Sequence, residues 1–355
     1  MDKRWIVFCL LAAISPVGRH TAVALAEQEW RIDEIIDVAQ AQASQVNDIQ
    51  YAYTMQVIPL ADPNYILSYD VSVMRMPAKN WEKRTIIKTA STSAHQINQT
   101  VQAWDGEYYR YNTAVIREGG PPPTKEGIIS AKKDAFSPLE PLELLGVKGS
   151  KKGDLVLFLS GPDVILQGLE TLAGHQTVVV SVNKIPTLPR EDSLVMKYWL
   201  DMEHGSLPRR TELYYKADLK RVTSDVTLSE LKPGLFFPAH CQATTFDFEG
   251  KSEGLWSKGE TISIQVDVNS IQINQGLQKQ DFALQFDYGQ PVWDEDIGMT
   301  YYEGLETSAS ADKLRELLDQ IVQETLQPIE STNSQESKDI DAPAAEPNAQ
   351  QSQAK

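Results

Sequence analysis

Cysteine is nearly missing from this 355-residue chain, which carries only Cys9 and Cys241. Cys9 lies inside an apolar N-terminal stretch, so beyond it Cys241 stands alone and no internal disulfide can form. Cys-rich zinc frameworks are excluded for the same reason. Histidine is scarce and scattered: His20, His95, His175, His204 and His240 include no H-x-x-x-H pair. Walker A and G-x-G-x-x-G phosphate loops are absent, and so is the D-x-D-x-D-G spacing of a calcium loop, although acids cluster at Asp201/Glu203 and Asp294-Glu295-Asp296. Long apolar runs are missing after the N-terminal stretch. No motif names a reaction.

What is present at the start reads as an address. Asp2-Lys3-Arg4 is followed by about ten apolar residues, WIVFCLLAAI (5–14), a length that suits a signal-peptide core and is too short for a membrane span. Ala24-Leu25-Ala26 offers an A-x-A cleavage site. The expectation is a signal peptide over 1–26 and a mature protein exported to the periplasm or cell envelope, with a retained anchor as the competing reading. Cys9 follows Phe8 rather than a small residue, which argues against a lipid-modified cysteine. Net charge is −16, and removing residues 1–26 takes away three basic residues and one acid, leaving about −18. Such a balance opposes binding to nucleic acid or to anionic lipid heads. Without disulfides the domain must rest on a core, for which residues 27–307 are long enough.

Hydrophobic periodicity then sets the fold class. In 32–46, Ile32, Ile35, Ile36, Ala39, Ala43 and Val46 share one face of a helix whose acids gather in the first turn. From Ile49 the period becomes two, with strand-like runs at 51–57, 65–73, 80–89, 97–104 and 107–115, the last two joined at Asp105-Gly106. The Pro/Gly-rich stretch 117–136 predicts a loop or flap, and 137–146 a short helix ending at Gly146. Strand-like runs resume at 154–160, 173–183, 197–215, 220–231, 236–248 and 261–274, with a last strand at 281–286. In 261–274 the apolar phase slips after Asn269-Ser270, which predicts a bulge or sharp bend. A second amphipathic helix is expected over 308–327, capped by Ser310, and a disordered acidic tail over 328–355. There is no βαβ rhythm, so the sheet should be antiparallel.

The acidic turn in KYWLDMEHGSLPRRTELYY (197–215) raises the question of chemistry through Asp201, Glu203 and His204. Met196, Tyr198 and Leu200 alternate with Lys197, Trp199 and Asp201, while His204-Gly205 supplies a permissive backbone and Pro208 starts the return. The stretch reads as a structural hairpin. His240-Cys241 are neighbours in a strand and point to opposite faces, which prevents joint metal coordination or a nucleophile pair. Paired carboxylates assembled in space, as in a glycoside hydrolase, remain open from sequence. No catalytic residue, metal ligand or cofactor is assigned, and the chain reads as a non-enzyme.

Three phrases carry a resemblance: W-D-G-E-Y-Y-R-Y (104–111), Y-W-L-D-x-E-x-G-x-L-P-R-R (198–210) and F-x-L-Q-F-D-Y-G-Q-P-V-W-D (282–294). With the exported start, N-terminal helix and meander, the chain over roughly 30–300 resembles the outer-membrane lipoprotein carrier superfamily (LolA, LolB and the related sensor RseB). It is most similar to the divergent branch found in planctomycete-like bacteria. The resemblance implies a mainly β, curved antiparallel half-barrel whose concave apolar face is covered by helices, and a binding role for acyl chains or lipoproteins without catalysis. The 117–136 stretch and the C-terminal helix depart from the family pattern. The inward residues expected to line such a face are Tyr53, Met55, Leu67, Tyr69, Met196 and Tyr198. Met and Tyr suit an adaptable lipid-facing wall and an ordinary core alike. The alternative is an envelope sensor or interaction scaffold acting on a partner through its C-terminal helix and tail. A hydrolase with a spatially assembled site is the third reading.

Overall fold

The computed structural model describes residues 30–91, 96–132, 138–148, 155–183, 194–246 and 259–304. The expected signal peptide, C-terminal helix and tail lie outside the described residues. Helix α1 (Ile32–Ser44) buries Ile35 and Ala39, as its spacing predicts, but Gln42 is buried and Ala43, expected on the same face, is exposed. An antiparallel meander follows in β1 (Ile49–Pro59), β2 (Leu67–Met76), β3 (Trp81–Ala90), β4 (Gln96–Trp104), β5 (Tyr109–Arg117) and β6 (Lys125–Ser130). Two short helices, α2 (Pro141–Leu144) and α3 (Leu155–Leu159), lead into a second meander. It runs through β7 (Val164–Leu172), β8 (His175–Asn183), β9 (Leu194–Asp201), β10 (Leu207–Tyr215), β11 (Asp218–Lys232), β12 (Leu235–Thr245) and β13 (Glu260–Ile273). β13 returns antiparallel beside β1, and this pairing fuses the two meanders. β14 (Pro291–Asp294) pairs in parallel with β6 and antiparallel with β15 (Met299–Tyr302).

All described strands therefore form one fifteen-stranded sheet, edged by β15 and β7. The sheet is open and curled, a mainly β half-barrel. One of its faces is apolar: Tyr51, Tyr53, Met55 and Val57 of β1 lie in register with Val73, Val71, Tyr69 and Leu67 of β2, and Val57 and Met55 with Ile262 and Ile264 of β13. Helices meet that face instead of a second sheet. Leu144 and Leu145 join the cluster built on β1, β2, β12 and β13, while Ile35 of α1 and Leu155, Phe158 and Leu159 of α3 join Val178, Val180, Val182, Met196, Tyr198 and Leu200.

Four expectations are corrected. Within 117–136, residues 125–130 are β6, a paired strand rather than a loop. The prolines stop at Pro123, and Gly127 leaves room for the Phe286 ring, which a Cβ would overlap. The 154–160 run is α3, since a short apolar run has no period that separates a buried strand from a helix; β7, which sequence reading missed, follows it. Residues 281–286 are not a strand. Phe282 packs on Trp81 with ring centroids 5.7 Å apart, and the Lys83 ammonium bonds the carbonyls of Asp281 and Ala283, so this backbone is satisfied by a side chain instead of a ladder. One parallel pair, β14 with β6, also interrupts the antiparallel pattern.

The slip in 261–274 is real. Gln50 pairs with Gln272 but Ala52 with Asp267, so β13 carries extra residues against β1. Ser270 Oγ accepts from the Ala52 N–H (2.8 Å) and donates to the Asp267 carbonyl (2.6 Å), closing the bulge. Ser270→Ala orphans the Ala52 N–H and should lower unfolding free energy by about 1 kcal/mol in a urea titration; an unchanged midpoint contradicts this role.

Candidate functional site

The structure brings all six sequence-predicted residues to the covered face, but into two clusters. Tyr53 and Met55, with Leu67 and Tyr69 packed against them, belong to the cluster under α2; Met196 and Tyr198 belong to the one under α1 and α3. Val147 packs against both. Tyr53, Met55, Met196 and Tyr198 are at most 5% exposed, whereas Leu67 and Tyr69 are half-buried. The two inward hydroxyls serve the chain itself: Tyr53 donates to the Leu139 carbonyl (2.9 Å) and Tyr198 to the Gly146 carbonyl (3.2 Å). Burial pushes both phenols far up, so they stay protonated. Gly146 (φ 66°) lets the chain leave α2 directly over the Met196 methyl, where a Cβ would not fit.

Sequence reading missed the charges beneath α2. Glu82 and Arg84 of β3 fall in step with Ile86, so they point into the covered face, and Arg75 of β2 stands opposite Glu82. Alternation alone placed them there; the charges hid the signal. From above come Glu140 and Glu143 of the α2 turn and Lys148. Glu140 Oε1 accepts from Arg75 Nη1 and Lys148 Nζ, each at 2.6 Å, and Glu140 Oε2 accepts from the Tyr51 hydroxyl. Arg84 bonds Glu82 (2.6 Å), Glu143 (3.2 Å) and the Pro138 carbonyl. Lys148 also reaches Glu82 at 2.9 Å. Three carboxylates face three cations. Burial alone would raise the Glu140 carboxyl, yet Lys148, Arg75 and Arg84 together hold it far below its usual range, and Glu82 is lowered in the same way by Arg84 and Lys148. In Glu143 burial wins over Arg84, with Glu140 adding to it, and the carboxyl is raised. Ion pairs placed in this manner hold a helix in place.

The turn at 201–204 is the hairpin that the sequence predicts, between β9 and β10. It also gathers what sequence spacing concealed, since His175 at the start of β8 and Arg209 of β10 both approach the Asp201 carboxylate. Asp294 caps the turn after β14, accepting from the Asp296 and Ile297 N–H groups. His240 and Cys241 point apart as expected: Cys241 is buried in the core, its thiol pushed up to about 12 by burial, while His240 bonds the Asp225 carbonyl at 2.8 Å. The sequence also contains Gly250-Lys251-Ser252-Glu253-Gly254, a G-x-S-x-G pattern that lies outside the described residues. The strands before and after it, β12 and β13, pair antiparallel with each other.

No family model matches the chain, and no curated protein matches it in sequence. Solved structures similar to it include a putative outer membrane lipoprotein-sorting protein domain from Vibrio parahaemolyticus (11% identity, 71% of this chain and 97% of that one, TM-score 0.40). The LolA superfamily protein NE2245 from Nitrosomonas europaea is similar at 12% identity, over 72% of this chain and 99% of that one, with a TM-score of 0.41. MucB in complex with MucA(peri) is similar at 10% identity, over 68% and 99%, with a TM-score of 0.24.

Glu140→Gln leaves Arg75 and Lys148 without their shared carboxylate and should cost about 3–5 kcal/mol in chemical denaturation. Because the folded carboxyl is depressed, the wild-type advantage is full above the ordinary value of about 4.5 and shrinks as pH falls below it. An advantage that grows on acidification contradicts the assignment.

Proposed function

We propose that the chain is a non-enzymatic binding protein of the bacterial cell envelope, a carrier-type half-barrel that takes an acyl chain, free or attached to a lipoprotein, against the apolar side of its sheet. The observation that carries this reading is the sidedness of that sheet. Its apolar rows are met by three short helices, and the row on β2 runs out into half-buried Leu67 and Tyr69, with the Lys88 ammonium 5.6 Å from the Tyr69 ring. An apolar wall with a lysine at its margin suits an acyl chain that ends in a polar head. Met55, behind this margin, can repack around a guest. The engaged carboxylates of the α2 cluster support a role without catalysis. Residues 1–26 support export, and among the described residues no helix is long and apolar enough to cross a membrane.

A second reading is an interaction scaffold that engages an envelope protein through residues 308–327 and the tail. The close burial of Tyr53, Met55, Met196 and Tyr198 favours it, because a filled interior leaves the sheet to act as a support.

Native mass spectrometry of gently purified protein, followed by titration with a fluorescent fatty acid, tests the first reading. Bound lipid or saturable uptake is expected, weakened at least about tenfold by Leu67→Glu with Tyr69→Glu, since two apolar contacts are lost. Neither bound lipid nor uptake overturns it. Pull-down with and without residues 309–355 tests the second: loss of a partner on truncation supports it, and an unchanged partner set removes the tail's role.

A further inference from the structure

Asp201 closes β9 and is 1% exposed, yet three side-chain nitrogens converge on one of its oxygens. His204 Nδ1 stands 2.8 Å from Asp201 Oδ2, Arg209 Nε 2.9 Å and His175 Nδ1 3.5 Å. The other oxygen, Oδ1, accepts from the Glu203 N–H at 3.2 Å. Arg209 makes a hydrogen bond to Oδ2. His204 Nδ1 does not: it is buried and has no hydrogen-bond partner, although the oxygen lies so near. The ring sets its nitrogen beside the carboxylate without directing a proton at it. That is how two ligands of one cation stand to each other.

The two distances from Asp201 fit a small divalent ion. Zinc bound at about 2.0–2.1 Å in tetrahedral geometry keeps neighbouring donor atoms about 3.3 Å apart, and the 2.8 and 3.5 Å separations bracket that spacing. The donor atoms of His175, Asp201 and His204 all lie within 4.8 Å of one another. Their positions are fixed by packing. The His204 ring stands edge-on to Phe236 (4.7 Å) and to His175 (5.4 Å). Gly205 (φ 73°) closes the turn against the Gln42 amide, which is itself bonded to the Phe236 carbonyl at 2.6 Å. The side chains of His175 and His204 are 37% and 26% exposed, so the cluster opens to solvent on one side.

We propose that His175, Asp201 and His204 form a binding site for a divalent transition metal of the zinc class. Two imidazoles and a carboxylate are the donors such an ion prefers, and three protein ligands leave a fourth position for water or a partner's side chain. Arg209 orients the carboxylate as an outer partner through the remaining lone pair of Oδ2. Its positive charge makes the site weaker than one without it. The site ties the start of β8 to the β9–β10 hairpin and is independent of what the apolar face binds.

Zinc chloride titrated calorimetrically into the mature, tag-free chain tests this. One zinc per chain is expected, weakened at least about tenfold by His175→Ala and by His204→Ala, while His240→Ala binds as the wild type. Circular dichroism in EDTA checks that the variants fold. Cobalt(II) added to the wild type gives a readout that needs no variant, an intense tetrahedral ligand-field band. Absence of saturable zinc binding, undiminished binding in the His175 and His204 variants, or a cobalt spectrum unchanged from the aqueous ion overturns the proposal.

Discussion

Glu140 is the point at which the two layers of this molecule are fastened. Its fully buried carboxylate takes Arg75 from β2, the Tyr51 hydroxyl from β1 and Lys148 from the segment beyond α2. A sheet that is apolar on one face needs cover, and one four-residue helix supplies little apolar area with which to choose its own position. Oil does not specify a register; hydrogen-bonded charges do. Buried ion clusters add little net stability over well-packed apolar residues, but losing one member is costly. The cluster therefore selects one placement of α2 more than it deepens the fold. Arg84 extends the same arrangement to Glu82, Glu143 and the Pro138 carbonyl, and the Tyr53 and Tyr198 hydroxyls secure the backbone before and after the helix.

The alternation of β1, β3, β12 and β13 was legible in the sequence because buried residues alternate with more exposed ones along most of each strand, and that contrast survives in composition. The bulge at Ser270 was legible for the same reason, as a change of phase. The elements that were misread lack that contrast. α3 is apolar almost all round, β6 follows a proline run without containing one, and 281–286 satisfies its carbonyls through Lys83. None of these departures is written in local periodicity.

The candidate sites divide in the same way. Tyr53, Met55, Leu67, Tyr69, Met196 and Tyr198 could be placed on one face by counting, yet counting could not say which of them α2 would cover and which would remain at the margin. Glu82 and Arg84 also obeyed the count, and a strict reading of parity would have turned them inward against the prior that charges face water. The gathering of His175 with Asp201 and His204 had no local signal at all, because β8 and the β9–β10 turn meet only through sheet pairing. Long-range register, not motif, assembles both places.

If Glu140 fixes α2 on the sheet through Arg75, the two side chains must be energetically coupled, and a double-mutant cycle of Glu140→Gln and Arg75→Met in chemical denaturation measures that coupling directly. The structure predicts a coupling of about 1–3 kcal/mol, the range for contacting residues in one buried network. Additive effects, with a coupling below about 0.5 kcal/mol, would show that α2 is held by apolar packing alone.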